Sequence, residues 1–296
     1  MDEHIRSRQF FDADGNRQNL SYPELPEPLT VGTYDNHTHL EIADGDQPMD
    51  YRDHMSLAAQ VGILGAVQVG VTLESSKWCA KVAAKDSRLL AAVAIHPNEA
   101  AKYDSKQELD ADIEEIAQLA TEPRVRAIGE TGLDFFRTED TKGLELQQYS
   151  FERHIEIAKR NNLALQIHDR DAHEKVVETL LRVGAPNKVV FHCYSGDIEL
   201  AKICSDNGWY TSFAGNITIK RNQNLRDSLK VMPRNKILVE TDAPFLTPEP
   251  LRGRPNAPYL VPITVRFMAE QLGMEANELS GQIAANSIEV YGSWDY

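Results

Sequence analysis

Cysteine, basic charge and long apolar runs are all scarce in this chain, and each scarcity removes a class of answer. The three cysteines, Cys79, Cys193 and Cys204, stand singly, so neither a disulfide framework nor a Cys-x-x-Cys zinc knuckle can be built from them. Small buried apolar side chains are their simplest reading, with Cys193 set apart by its neighbour His192. No apolar run reaches the ~18 residues of a membrane-spanning helix. Met1 to Thr30 is polar and lacks the apolar centre of a secretory signal, so a cytoplasmic location is expected. Lysine and arginine total 31 against 45 aspartates and glutamates, a formal charge of −14. Such a chain does not cling to nucleic acid nonspecifically, because that attraction comes from basic side chains neutralising phosphates. Metal ions can still supply positive charge where a reaction needs it. The acidic balance makes a solvated monomer the expected state. No Gly-x-Ser-x-Gly elbow, P-loop or Gly-x-Gly-x-x-Gly opens a helix, and no fixed-period repeat or low-complexity tract is present.

What is present is an alternation. Residues 1–30 read as an N-terminal extension, since Pro23, Pro26 and Pro28 forbid a regular helix and favour an extended segment. Residues 31–296 read as one domain. Short apolar strand candidates occur at 33–39, 64–71, 89–95, 125–130, 163–168, 187–192, 208–213 and 236–241. Helical patterns lie between and after them, at 50–60, 74–85, 105–120, 143–161, 171–182, 197–206, 222–231, 259–272 and 275–290. Asp171 and Ser105 stand where helix starts are expected. Eight strands alternating with helices imply a parallel sheet, and eight fit a closed (β/α)8 TIM barrel of about 250 residues. The runner-up is an open doubly wound sheet.

The strand ends choose between them. Tyr34-Asp35-Asn36-His37-Thr38-His39 carries two histidines one residue apart; in a strand, such residues share a face, so both imidazoles converge. Four later apolar runs stop on or beside Glu130, His168, His192 and Asp242. Ligands ending five strands meet at one point only if the strands close around it, at the carboxyl face where barrels place their sites. One catalytic zinc takes about three protein ligands, so six donors point to two metal ions. His37 and His39 would bind the first ion and His168 and His192 the second, with Glu130 bridging and Asp242 completing the first. Zn²⁺, Mn²⁺ or Fe²⁺ suit this donor set better than Ca²⁺, and Mg²⁺ stays open. Asp35 and Glu240 share faces with His37 and Asp242 and fit acceptors that fix the ligands. His96 ends a strand candidate and fits either a substrate contact near the metals or a loop position set by Pro97. His54, His154 and His173 lie in helical patterns, where solvated or capping roles are expected. His4 sits in the extension and carries no signal. A glycosidase pair of Glu130 and Asp134 would leave the histidines unexplained.

The motifs together resemble the TatD family of metal-dependent hydrolases. The residues that carry the resemblance are Asp35-Asn36-His37-Thr38-His39, Gly129-Glu130-Thr131-Gly132-Leu133-Asp134, Ile167-His168-Asp169-Arg170, His192-Cys193-Tyr194-Ser195-Gly196 and Glu240-Thr241-Asp242-Ala243-Pro244. An Arg252 to Tyr259 loop and a closing helix around Asn286 to Gly292 follow, so the likeness spans about residues 33–292. It implies a metal-dependent deoxyribonuclease, often a 3′→5′ exonuclease, with His37, His39, Glu130, His168, His192 and Asp242 as ligands of two ions. The chain departs from the family in its residues 1–30 and in having Asn256-Ala257-Pro258 where Asn-Glu-Pro is common. The absence of a lysine at position 130 argues against a phosphotriesterase-type relative.

The expected reaction is phosphodiester hydrolysis in DNA, with Asp242 as general base or proton shuttle. Arg170, Arg252 and Arg254 are candidates to hold phosphates at the rim. Two alternatives keep the same residues: an ester or amide hydrolase, such as one acting on a misacylated aminoacyl-tRNA, an activity the resemblance also brings, and a non-catalytic metal-binding barrel.

Overall fold

In the computed structural model, which describes residues 4–6 and 19–295, eight parallel strands pair side by side around one axis. For His4 and Ile5 the backbone alone is described, so the His4 imidazole lies outside the described residues, as do residues 1–3 and 7–18 of the extension. In chain order the elements are β1 (His4–Ile5), β2 (Thr33–Thr38), β3 (Ile42–Ala43), α1 (Tyr51–Gln60), β4 (Ile63–Val69), α2 (Leu73–Ala83), β5 (Leu89–Val93), α3 (Pro97–Ala100), α4 (Lys106–Leu119) and β6 (Val125–Asp134). They continue with α5 (Thr141–Asn161), β7 (Ala164–Arg170), α6 (His173–Val183), β8 (Val189–Phe191), α7 (Ile198–Asp206), β9 (Tyr210–Phe213), α8 (Gln223–Val231), β10 (Ile237–Val239), α9 (Val261–Leu272) and α10 (Ala276–Tyr291). The strand order is β10-β9-β8-β7-β6-β5-β4-β2.

The ring closes through the chain that follows β10. Asp242 N–H donates to the His37 carbonyl at 2.9 Å, and His39 N–H donates to the Ala243 carbonyl at 2.8 Å. The Asn36 amide adds a bond to the Val239 carbonyl at 2.7 Å. This is the expected (β/α)8 barrel, and the open sheet is set aside. Inside it, small side chains (Ala92, Ala127, Ala164) alternate with Val67, Leu90, Val190 and Leu238 to fill the axis. Tyr34 and Trp294 stack at 4.0 Å near the amino ends of the strands and plug that end. Between strands and helices lies a second, larger apolar layer, and buried histidines and carboxylates gather at the carboxyl end of the axis.

Local chemistry accounts for the helix boundaries. Asp50, Ser105, Asp140 and Asp197 each accept a backbone N–H in the first turn of α1, α4, α5 and α7. Thr72 and Ser75 cap α2 reciprocally. Asn162 and Gly273 stop α5 and α9 in the left-handed region. Asp171 does not cap α6 as expected: the helix starts at His173, and no side chain caps it.

Two strands, β6 and β7, run further than their sequence pattern, β7 reaching Arg170 instead of ending at 168. β6 continues through Glu130 to Asp134 instead of ending at 130, because an irregular register against β7 lets pairing resume at Thr131. Gly132 permits this: its φ is +144°, and a side chain there would collide with the His168 carbonyl. Residues 19–30 lie against the barrel. The Pro23 carbonyl accepts from Tyr259 Oη at 2.8 Å, Leu29 N–H donates to the Val61 carbonyl, and Leu29 is buried. Beside the barrel mouth β1 pairs with β3, and Arg6 donates to the Pro244 carbonyl at 2.7 Å while covering the Phe245 ring. No described helix is long and apolar enough to cross a membrane.

Candidate metal centre

His37 lies near the end of β2 and His39 just beyond it, and the two-residue period turns both rings inward, with Nε2 to Nε2 at 3.1 Å. Asp242 follows β10 with φ +54°, a left-handed turn that aims its carboxylate at the same spot: Oδ1 is 3.4 Å from His39 Nε2 and 3.8 Å from His37 Nε2. Asp35 fixes this junction through the backbone. Its carboxylate accepts from Thr241 N–H at 2.9 Å, from the Thr241 hydroxyl at 2.5 Å and from His37 N–H at 3.3 Å. The Asn256 amide steadies the same loop through the Thr241 and Phe245 carbonyls.

Glu130 stands between two groups of nitrogens, one per oxygen. Its Oε2 is 3.7 Å from both His37 Nε2 and His39 Nε2. Its Oε1 is 2.7 Å from His168 Nδ1 and 2.7 Å from His192 Nε2, and 3.3 Å from His96 Nε2. Among the described residues, three overlapping trios have ligand atoms within 4.8 Å of one another: His37, His39 and Asp242; His37, Glu130 and His192; His96, Glu130 and His168. The structure thus brings all six expected residues together and adds His96.

The far nitrogen of each ring decides what the near one offers. His37 Nδ1 faces Gln166 Oε1 at 3.0 Å, His39 Nδ1 faces the Val69 carbonyl at 3.0 Å, His168 Nε2 faces Asp134 Oδ2 at 3.1 Å, and His192 Nδ1 faces Glu240 Oε1 at 3.2 Å. All four partners are acceptors, so the far nitrogen carries the proton and the near nitrogen of the neutral ring presents a lone pair. Four lone pairs then point at one another or at carboxylate oxygens, an arrangement that requires a cation, whether proton or metal, among them. The donor set therefore fits divalent ions. His96 differs. Its Nδ1 accepts Asn98 N–H at 3.0 Å as the cap of α3, so its Nε2 carries the proton and donates toward Glu130. In that tautomer it is a donor in the cleft.

Charge follows the same logic. Burial opposes ionisation of Glu130 and Asp242, yet the surrounding imidazoles hold both carboxyls below their usual range, Glu130 far below it. Burial favours neutral His192, but Glu130 and Glu240 push it well above its ordinary value. His168 is raised against burial by Asp134 and Glu130, and His39 against burial by Asp242 and Glu41, to about 9. Burial and the adjoining His192 lower His37, the one ring of the four that shifts down. His192 and His37 stack at 3.9 Å, so a second positive charge there is disfavoured.

A cleft of about 560 Å³ opens over this cluster, lined also by Arg137, Arg170, Cys193 and Phe245. Arg170 reaches it, as expected of a rim arginine. Arg254 does not: it binds the Ser21 and Tyr22 carbonyls and Glu24, and so fastens the extension. Arg252 is exposed and does not line the cleft. Burial pushes the Cys193 thiol well up, which keeps it neutral. Glu240 supports His192, whereas its strand face suggested Asp242. His54 and His154 are buried, not solvated; His154 sits on the inward stripe of α5 with Phe151, Ile155 and Ala158, and that spacing was visible. His173 pairs with Asp169 at 2.7 Å. Asp134 and Gln166 were the missed positioning residues. Gln166 shares the alternating face of His168, which could have flagged it.

Barrel and cluster together define a metal-dependent hydrolase. The family model described as TatD related DNase matches residues 34–292. A protein of Mycobacterium tuberculosis named "Uncharacterized metal-dependent hydrolase TatD" is 38% identical over 261 residues, covering 87% of this chain and 97% of its own. The Escherichia coli protein named "3'-5' ssDNA/RNA exonuclease TatD" is 32% identical, covering 82% of this chain and 93% of its own. The crystal structure of YJJV, a TatD homologue from Escherichia coli, superimposes with a TM-score of 0.78 at 26% identity, covering 88% of this chain and 98% of that one. The chain belongs to the TatD family.

Proposed function

We propose that this protein hydrolyses phosphodiester bonds in nucleic acid, DNA first, at a centre holding two divalent ions that share Glu130. His37, His39 and Asp242 would hold one ion, and His168 and His192 would hold the other. The observation that carries this reading is the two-sided placement of Glu130, whose oxygens face separate sets of lone pairs. The name of the Escherichia coli relative supports a 3′→5′ exonuclease as the specific activity. Divalent ions in such a centre polarise a non-bridging phosphate oxygen, lower the pKa of a water and stabilise charge on the leaving oxygen.

The chain's own residues do the rest. Asp242 stands at the cleft floor with its carboxyl held below the usual range, so it is ionised at neutral pH and can take a proton from the attacking water. His96 Nε2–H is a neutral donor aimed into the same space, suited to a phosphate oxygen. Asp134, Glu240, Gln166 and the Val69 carbonyl lock the four rings in the tautomers that ligation needs. The test is to offer purified protein single-stranded DNA and an aminoacyl-tRNA with Mg²⁺, Mn²⁺ or Zn²⁺. Release of mononucleotides from the DNA supports the reading. Ester cleavage of the aminoacyl-tRNA without nucleotide release overturns it.

A further inference from the structure

β6 ends at Asp134, whose carboxylate does two jobs. Oδ2 accepts from His168 Nε2 at 3.1 Å and from the Asn98 amide at 2.9 Å. Oδ1 accepts the backbone N–H of Phe136 at 3.0 Å and of Arg137 at 2.8 Å. One side chain thus orients a metal-centre imidazole and shapes the loop beside the cleft. On that loop Phe136 is 56% exposed. The Arg170 guanidinium lies 4.0 Å from the centroid of its ring.

A single exposed phenylalanine is ordinary on a protein surface. The two arginines beside it are not. Arg137 and Arg170 both line the cleft. Among the described residues no carboxylate or carbonyl pairs with either guanidinium, although the chain carries 45 acidic side chains. Two such cations at one mouth call for an anionic ligand, and an aromatic ring stacked on one of them adds a flat surface for a planar group. A phosphodiester strand offers both. Within a duplex the faces of each base are covered by its neighbours, and a terminal pair brings a second strand to the mouth, so an unpaired base suits a single side-chain ring best.

We propose that Phe136, backed by Arg170, is a stacking platform for an unpaired base next to the scissile phosphate, and that Arg137 and Arg170 hold the phosphates of the same strand. This rests on the nucleic-acid reading of the site and narrows it to strands with an unpaired end. Phe136 positions substrate through the base, so its effect falls on binding more than on the chemical step.

The experiment measures binding of a 5′-labelled oligothymidine by fluorescence anisotropy, with Mn²⁺ present and turnover blocked by Asp242→Asn. Adding Phe136→Ala is expected to weaken binding about tenfold, a loss of about 1.4 kcal/mol and within the range of one base–aromatic stack. Phe136→Trp restores it. An oligonucleotide abasic at its two 3′-terminal positions binds the parent no better than Phe136→Ala binds the intact strand. In the active enzyme Phe136→Ala raises KM and spares kcat. Phe136 is exposed, and a thermal melt of each variant confirms folding. Equal binding by Phe136→Ala and its parent, or no loss with the abasic strand, overturns the platform alone if oligothymidine is still cleaved. If the wild type cleaves bis(p-nitrophenyl) phosphate but neither binds nor cleaves oligothymidine, the nucleic-acid reading falls and the platform with it.

Discussion

The two sides of Glu130 are built from the same imidazoles but are backed differently. On the first side His37 and His39 are fully or almost fully enclosed, and uncharged acceptors hydrogen-bond their far nitrogens, an amide oxygen and a backbone carbonyl, with the Glu41 carboxylate further off at 3.8 Å from His39 Nδ1. On the second side His168 and His192 rest on the carboxylates of Asp134 and Glu240, and His168 faces the cleft. A carboxylate behind an imidazole makes it a stronger base and ligand than a carbonyl does. The first side makes up the difference with a carboxylate of its own, Asp242, aimed straight at the two rings. One side is therefore tuned chiefly by a direct anion, and the other by hydrogen-bonded anions one step removed. Ion affinity should accordingly respond to different residues on the two sides.

Glu130→Gln should break both sides at once. Hydrolysis is expected to fall by more than the roughly 10²–10⁴-fold that one general base supplies, and elemental analysis should find less than one ion per chain. Asp242→Asn strikes the first side alone: a loss of about 10²–10⁴-fold in kcat is expected, with the second side's ion retained. Full activity with unaltered metal content would sink the role given to Asp242.

Glu240→Gln tests the indirect tuning. Competition with a chelator should show one ion held about 10–100-fold more weakly and the other unchanged. Gln166→Leu is the matching change on the first side. It also strands the Asn36 carbonyl and the Tyr291 hydroxyl, which the Gln166 amide nitrogen now satisfies. Its main effect should therefore be about 1–3 kcal/mol of lost stability in denaturant unfolding.

A buried imidazole with no carboxylate provides the contrast. Burial lowers His154 from the ordinary 6.5 to about 4, with Nε2 accepting Ile95 N–H and Nδ1 donating to the Ser150 carbonyl. The unfolded chain then binds more protons between pH 6.5 and 4. Stability is fully present above pH 6.5 and falls as pH drops through that window, by about 3 kcal/mol. His154→Gln should flatten that slope in unfolding measured at pH 7 and pH 4.5. His39 has the opposite sign in metal-free protein. Raised to about 9, it contributes stability below pH 6.5 that is lost as pH rises through 9. The smallest effect is expected of Arg6→Lys, which keeps a cation beside the buried Asp44 and a donor for the Pro244 carbonyl and removes only the stacked guanidinium. The Arg6 guanidinium covers Phe245, whose ring meets His39 edge-on, so the first side leans on the N-terminal segment. Loss of the cation–π contact should cost about 1 kcal/mol or less.

Much of this was legible in residue order. Period-two alternation put His37 and His39 on one face, and the spacing of apolar runs against amphipathic stretches implied eight parallel strands. Glu130 was recognised, but its place inside β6 was hidden. Gly129 and Gly132 look like strand breakers until the register against β7 explains them. Gln166 and the Val69 carbonyl meet the rings of His37 and His39 only after the barrel closes, and no local pattern announces a carbonyl as a partner. The position of His96 in the sequence left two roles open. Its tautomer follows from capping α3, a fact of three-dimensional geometry. Asp134 was weighed only as a partner in acid–base catalysis, and its hold on both His168 and the Phe136 loop needed the fold.

In the proposed centre one carboxylate, Glu130, divides the site between two ions. Anomalous scattering from crystals grown with Mn²⁺ tests it most directly. Two peaks are expected, one beside each Glu130 oxygen, the first near His37, His39 and Asp242 and the second near His168 and His192. A single peak, or peaks away from Glu130, in crystals of protein that hydrolyses DNA at its full rate in solution would contradict it.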